Sequence, residues 1–137
     1  MNLAMLDSIL NLKTGNTLIV GAVGTSKTVL LNSLYHTSRI VLDGLPSLHL
    51  SSASIHGILA SGLAVITVNA MAQLGNEDTS LLNRISNFVF FRITNPDEAE
   101  IAASLSNLKP DLFMSLPESS AIVCDHSGHI EAITVKP

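Results

Sequence analysis

Charge is scarce in this chain and follows no pattern. Asp, Glu, Lys and Arg make up 13% of the residues against 47% hydrophobic, with mean hydropathy +0.44. The seven Lys and Arg are scattered and the formal net charge is −4, so the sequence carries no electrostatic footprint for nucleic acid. Cysteine is nearly absent: Cys124 alone excludes an intramolecular disulfide framework and fits a reducing cytoplasm. No uninterrupted apolar run reaches the roughly 18 residues of a membrane span. The start, M-N-L-A-M-L-D-S-I-L, has no positive region of the kind that opens a secretory signal. Internal repeats, linkers and low-complexity tracts are missing too, so residues 1–137 read as a single compact domain with one core. A surface this apolar and this poorly charged predicts contact with further subunits, as a homo-oligomer or a larger assembly.

What the sequence does contain is organised around Thr17–Leu34, T-L-I-V-G-A-V-G-T-S-K-T-V-L-L-N-S-L. Thr17, Leu18, Ile19 and Val20 read as a buried strand running into Gly21; Lys27-Thr28 opens a helical segment carrying Val29, Leu30, Leu31 and Leu34. A strand, a Gly-bearing loop and a helix start are the setting of a phosphate-binding P-loop. Backbone N–H groups and the helix N-terminus converge on an anion, Lys27 reaches outer phosphates, and the Thr28 hydroxyl serves Mg²⁺. Gly21, Val23, Gly24, Thr25, Ser26, Lys27 and Thr28 are therefore the candidate nucleotide-contacting residues. Ser26 occupies the position of the second required Gly, which weakens the match because a Cβ now faces the phosphate. The plain alternative is a Gly-containing strand–helix turn with an exposed Lys.

Elsewhere the chain alternates strands and helices. Leu3, Leu6, Ile9 and Leu10 recur at helical spacing over residues 2–11. Arg39-Ile40-Val41-Leu42-Asp43 reads as a buried strand that ends in a carboxylate, where doubly wound sheets place ligands. Asp43 is thus the candidate Mg²⁺-side carboxylate, or else only the start of the turn Asp43-Gly44-Leu45-Pro46. Ser51 or Ser52 caps a helix to about Ala60, and Leu63–Val68 is a third strand, ending at Asn69 with Gln73 four residues on. Either amide is a candidate to sense phosphate or position water, or else satisfies local backbone. Thr79–Ser86 is expected to be a helix and Phe88–Ile93 a fourth strand. Asn95-Pro96-Asp97-Glu98 is a helix start with an N-cap, Pro at the first position and a capping-box Glu. Ala121–Cys124 and Ile130–Val135 close the chain as a hairpin. Cys124, His126 and His129 straddle its turn without a fourth ligand and read as hairpin residues, not a metal site.

In this order the segments resemble the P-loop ATPases of the HerA/FtsK class, which include the coupling and assembly ATPases of type IV secretion and conjugation. G-N-T-L-I-V-G-A-V-G-T-S-K-T is similar to their Walker A segment, R-I-V-L-D to Walker B, G-L-A-V-I-T-V-N-A-M-A-Q-L to the polar sensor strand, and the C-terminal hairpin to their closing hairpin. A fainter similarity, to PilT-like secretion ATPases, rests on G-N-T-L-I-V-G and S-G-L-A-V-I-T-V-N-A-M. The resemblance implies a three-layer, RecA-like α/β fold with a mostly parallel sheet and a C-terminal antiparallel hairpin. It also implies ATP and Mg²⁺ as ligands, with catalytic roles for Asp43, Asn69 and Gln73 and metal contacts from Thr28 and Asp43. The implied strand order is Asp43 strand, sensor strand, P-loop strand, Phe88 strand; Arg84 and Arg92 read as exposed arginines after a helix face or strand, or else as the cross-subunit fingers the resemblance implies. Gly44 stands where the class has the Glu that polarises water, so nucleotide binding is expected to outlast hydrolysis. The alternative function is a non-catalytic interaction or assembly subunit that kept the fold and lost the nucleotide.

Overall fold

The computed structural model describes residues 15–22, 30, 40–43, 51–62, 64–70, 82–125 and 130–134. The strands are β1 (Asn16–Val20), β2 (Ile40–Leu42), β3 (Ala64–Val68), β4 (Ile85–Phe91), β5 (Ser120–Asp125) and β6 (Ile130–Thr134). The helices are α1 (Ser52–Leu59), α2 (Pro96–Ser106) and α3 (Pro110–Met114). All six strands form one sheet in the order β2-β3-β1-β4-β5-β6. β2 with β3, β3 with β1 and β1 with β4 pair in parallel, whereas β4 with β5 and β5 with β6 pair antiparallel. β3 therefore lies between β2, which ends beside Asp43, and β1, the neighbour relation the resemblance implied.

The period of two along each strand divides the apolar residues between two faces. Leu18, Val20, Ile66, Val68, Phe88, Phe90, Ile122 and Cys124 share one cluster with Ile55 and Leu59 of α1, Ala99, Ala102 and Ala103 of α2, and Phe113 of α3. Within it the Phe88 and Phe90 rings stack at 5.9 Å, and Phe113 meets Phe90 edge-on at 5.5 Å, the offset and T-shaped geometries that aromatic quadrupoles favour. Ile19, Thr67, Val89, Phe91 and Val123, on the alternate positions, are buried as well. Leu30 is helical and 1% exposed, and it does not belong to the cluster.

The expected three-layer RecA-like architecture is corrected here. α1, α2 and α3 all pack against one face, and the sheet is mixed, the β4–β5 pairing adding to the hairpin to make two of its five pairings antiparallel. A sheet sandwiched by crossover helices has helices on both faces, whereas among the described residues α1, α2 and α3 lie on one. Two local expectations also change. Ile85, expected on the inner face of a helix, is the first residue of β4 and 1% exposed, so only Leu82 of the expected 79–86 helix is helical among the described residues. α3 was not anticipated, because five residues are too few for a helical period.

Local chemistry explains the boundaries. Ser51 caps α1 through its hydroxyl, which accepts from the Ser54 N–H at 3.1 Å; Gly62 then turns the chain at φ +71°. Asn95 caps α2, its Oδ1 accepting from the N–H of Asp97 at 2.8 Å and of Glu98 at 3.4 Å, with Pro96 at the first helical position. Asn107 ends α2 in the left-handed region at φ 61°. At the amino edge of the sheet Asn16 is 3% exposed and binds three segments together. Its Nδ2 donates to the carbonyls of Leu59 and Arg84, each at 2.8 Å, and its Oδ1 accepts from the Ala64 N–H at 3.0 Å. Gly15, at φ +108°, donates its N–H to the Gly62 carbonyl at 3.2 Å. Among the described residues no helix is long and apolar enough to cross a membrane.

Candidate functional site

The chain leaves β1 toward β2 on one side of it and leaves β4 toward β5 on the other, while β1 and β4 are parallel neighbours. The carboxyl ends of adjacent strands whose connections diverge form a switch point, the place where open α/β sheets bind ligands. A cleft of about 160 Å³ lies there, lined by Val20, Gly21 and Ala22 after β1, Asn69 and Ala70 after β3, and the 92–95 segment and Glu98 after β4. Its volume falls below the roughly 300 Å³ at which ordinary small-molecule pockets begin.

Of the sequence-derived site residues, Gly21 and Asn69 come together at this cleft. The Gly21 N–H donates to the Val68 carbonyl at 3.1 Å, which continues the β1–β3 ladder by one residue, so that amide is committed to the sheet. Asn69 is exposed. Asp43 does not line the cleft; it stands exposed just past β2, and its Oδ1 accepts a hydrogen bond from the Thr67 hydroxyl at 2.7 Å. Val23, Gly24, Thr25, Ser26, Lys27, Thr28, Gln73 and Gly44 lie outside the described residues, as do the expected 2–11 helix, His126 and His129.

Charge at the cleft is balanced. Arg92 lines it and its guanidinium meets the Glu118 carboxylate at 3.1 Å, a part-exposed pair of small energetic weight. The positive end of the α2 dipole faces the cleft, but Asn95 already occupies the Asp97 and Glu98 N–H groups and both of those residues are acidic. The α2 terminus is therefore a capped helix start and not an anion cradle. Arg84 is exposed, and its carbonyl serves Asn16.

Among the described residues no three His, Cys, Asp or Glu side chains gather as a metal-binding group. A lone exposed carboxylate such as Asp43 still suits Mg²⁺ that arrives with a phosphate ligand, because that ion keeps several waters and takes one or two carboxylates. Cys124 is buried; burial first, then the Asp125 charge beside it, pushes its thiol up to about 11, so it is no nucleophile at neutral pH. Thr67 was missed by sequence reasoning, and only the neighbour relation of β2 and β3 discloses it. No family model, curated protein or solved structure matches the chain.

Proposed function

We propose that this protein binds ATP with Mg²⁺ at the carboxyl edge of its parallel strands and hydrolyses it weakly or not at all. The observation that carries the reading is the switch point between β1 and β4, from which the Gly21–Thr28 segment with its P-loop-like sequence departs. In this reading Lys27 and the loop amides hold phosphate, Thr28 and Asp43 serve the cation, and Asn69 and Gln73 sense the outer phosphate. Gly44 in place of a water-polarising carboxylate forfeits about 10²–10⁴-fold in rate. The similarity to HerA/FtsK-class ATPases of secretion and DNA translocation reflects that shared nucleotide chemistry, in a cytoplasmic protein. The low charge and high hydrophobic content of the chain support assembly into an oligomer or with a partner.

The small volume of the cleft favours a second reading, an interaction subunit without nucleotide. Titration with a fluorescent ATP analogue separates the two. Micromolar binding that requires Mg²⁺ and disappears in Lys27→Ala, with thermal unfolding unchanged, supports the first; absence of binding by the wild type overturns it and favours the second.

A further inference from the structure

α2 places its residues against the ordinary order, small ones in the core and large ones outside. Its buried positions are Ala99, Ala102, Ala103 and Ser106, and its two large aliphatic residues, Ile101 and Leu105, are not among them. Leu105 is half-buried at the margin of the core, and Ile101 is 39% exposed. They stand one helical turn apart, and with Asp97, Glu100 and Ser104 they form the i, i+3, i+4, i+7, i+8 stripe of a second helix face. An open groove of about 530 Å³ is lined by that stripe and by Leu82. Its volume lies within the roughly 300–1,000 Å³ of binding clefts.

Charge gives the groove a sign. Asp97 and Glu100 stand exposed along it, and no cation among the described residues lines it. Asp97 lies in the first turn and complements the α2 dipole, whereas Glu100 lies beyond the reach of that effect. Pro96–Ser106 contains no Lys or Arg to form an i, i+4 pair with either acid. A partner that covers Ile101 therefore gains most by bringing positive charge with it. The chain itself is a poor source: its formal charge is −4, and residues 71–81, which lead into Leu82, hold Glu77 and Asp78 and no Lys or Arg.

We propose that the groove between α2 and Leu82 docks a basic amphipathic helix of a partner protein, a role independent of the nucleotide reading. From Asp97 to Leu105 the stripe is about 12 Å long at roughly 1.5 Å per residue, room for two turns of helix. Aliphatic residues three or four apart on the partner pack among Leu82, Ile101 and Leu105, and a Lys or Arg one turn along meets Glu100 and Asp97. Burial of apolar surface supplies the affinity. The acids set the direction in which the helix lies and turn away partners of their own sign.

The probe is a fluorescein-labelled synthetic helix with Leu along one face and Lys beside it; its control is the same peptide with Glu for Lys. Anisotropy titration of the full chain is expected to show one saturable site for the Lys peptide, weakened by added salt, and none for the Glu peptide. Ile101→Asp weakens binding about tenfold or more, the worth of a buried aliphatic side chain. Glu100→Lys weakens it about fivefold or more, and Asp97→Lys combined with Glu100→Lys transfers the preference to the Glu peptide. Glu131→Lys, the same change of charge on β6 and outside the groove, leaves binding as in the wild type. Unfolding temperature verifies that each variant folds; should the double variant unfold, Glu100→Lys against Glu131→Lys carries the comparison. Absence of saturable binding overturns the inference. Equal losses in Glu100→Lys and Glu131→Lys also overturn it, since net charge alone then attracts the peptide. Two further results would do the same. Self-association of the wild type that Ile101→Asp abolishes makes a second copy the occupant. A wild type inert to the peptide, whose unfolding temperature falls in Ile101→Asp, gives the groove to the chain's own residues.

Discussion

Asn16→Ala is the substitution to which the scaffold should be most sensitive for the atoms removed. The side chain joins the end of α1, the start of β3 and the segment before β4 through three hydrogen bonds of 2.8–3.0 Å, and it is 3% exposed. At about 1 kcal/mol net for each bond the loss is about 3 kcal/mol, and more if the Leu59 carbonyl and Ala64 N–H stay dry and orphaned. For a chain of this length the unfolding entropy converts that into a fall of about 10 °C in Tm. Urea unfolding should show a lower midpoint at unchanged slope, the signature of lost stability without a change in compactness. Asn16→Asp sharpens the test. It keeps an acceptor for the Ala64 N–H but turns a carboxylate toward two carbonyl oxygens, which raises the folded pKa of that Asp above its unfolded value. The variant is then most stable below the ordinary Asp range and weakens as pH rises through the raised value. A loss below about 1 kcal/mol for Asn16→Ala, or an Asn16→Asp protein indifferent to pH between 3 and 7, would refute the reasoning.

Two further outcomes are expected. In Gly15→Ala a Cβ would lie 2.6 Å from Ser86 Cβ and closer still to Ser86 Oγ, at a backbone φ of +108° that L-residues rarely adopt. Strain and clash together cost about 2 kcal/mol or more, and an unfolding midpoint equal to wild type would contradict it. Cys124, with its thiol raised to about 11, should react with a thiol-specific reagent at pH 8 about 100-fold more slowly in the folded protein than in urea. Because the folded pKa lies above the unfolded one, the corresponding stability is complete below the unfolded pKa and drains away as pH climbs toward 11. Equal labelling rates in the two states would sink this account.

The parts of the fold that the sequence disclosed are those governed by local rules. Continuous apolar runs marked β1, β2 and β3, Asn95-Pro96 marked the start of α2, and the apolar pairs around residues 126–129 marked the hairpin strands. Ile85 misled because Leu81, Leu82 and Ile85 share a helical spacing, while pairing with Asn16 of β1 holds Ile85 extended. The layering misled for a similar reason. Alternation of strands and helices suggests helices on both faces, but the choice of face is tertiary, and α1, α2 and α3 gather on one. Asn16 reads as a turn residue beside Gly15, and its three partners, 43, 48 and 68 positions away, leave no local trace. The Thr67–Asp43 bond, 24 positions apart, is hidden in the same way. Gly21 and Asn69 were legible because strand ends announce themselves, and the rest of the proposed phosphate loop lies outside the described residues.

β1 is paired on both sides by strands made much later, β3 from Ala64 and β4 from Ile85. During translation at about 5–20 residues per second, Leu18, Ile19 and Val20 emerge several seconds before either neighbour exists. β1, one of the two central strands, is thus the first of the described strands to be made and the longest to wait, while β5 and β6, only four residues apart in sequence, can pair soon after they are made.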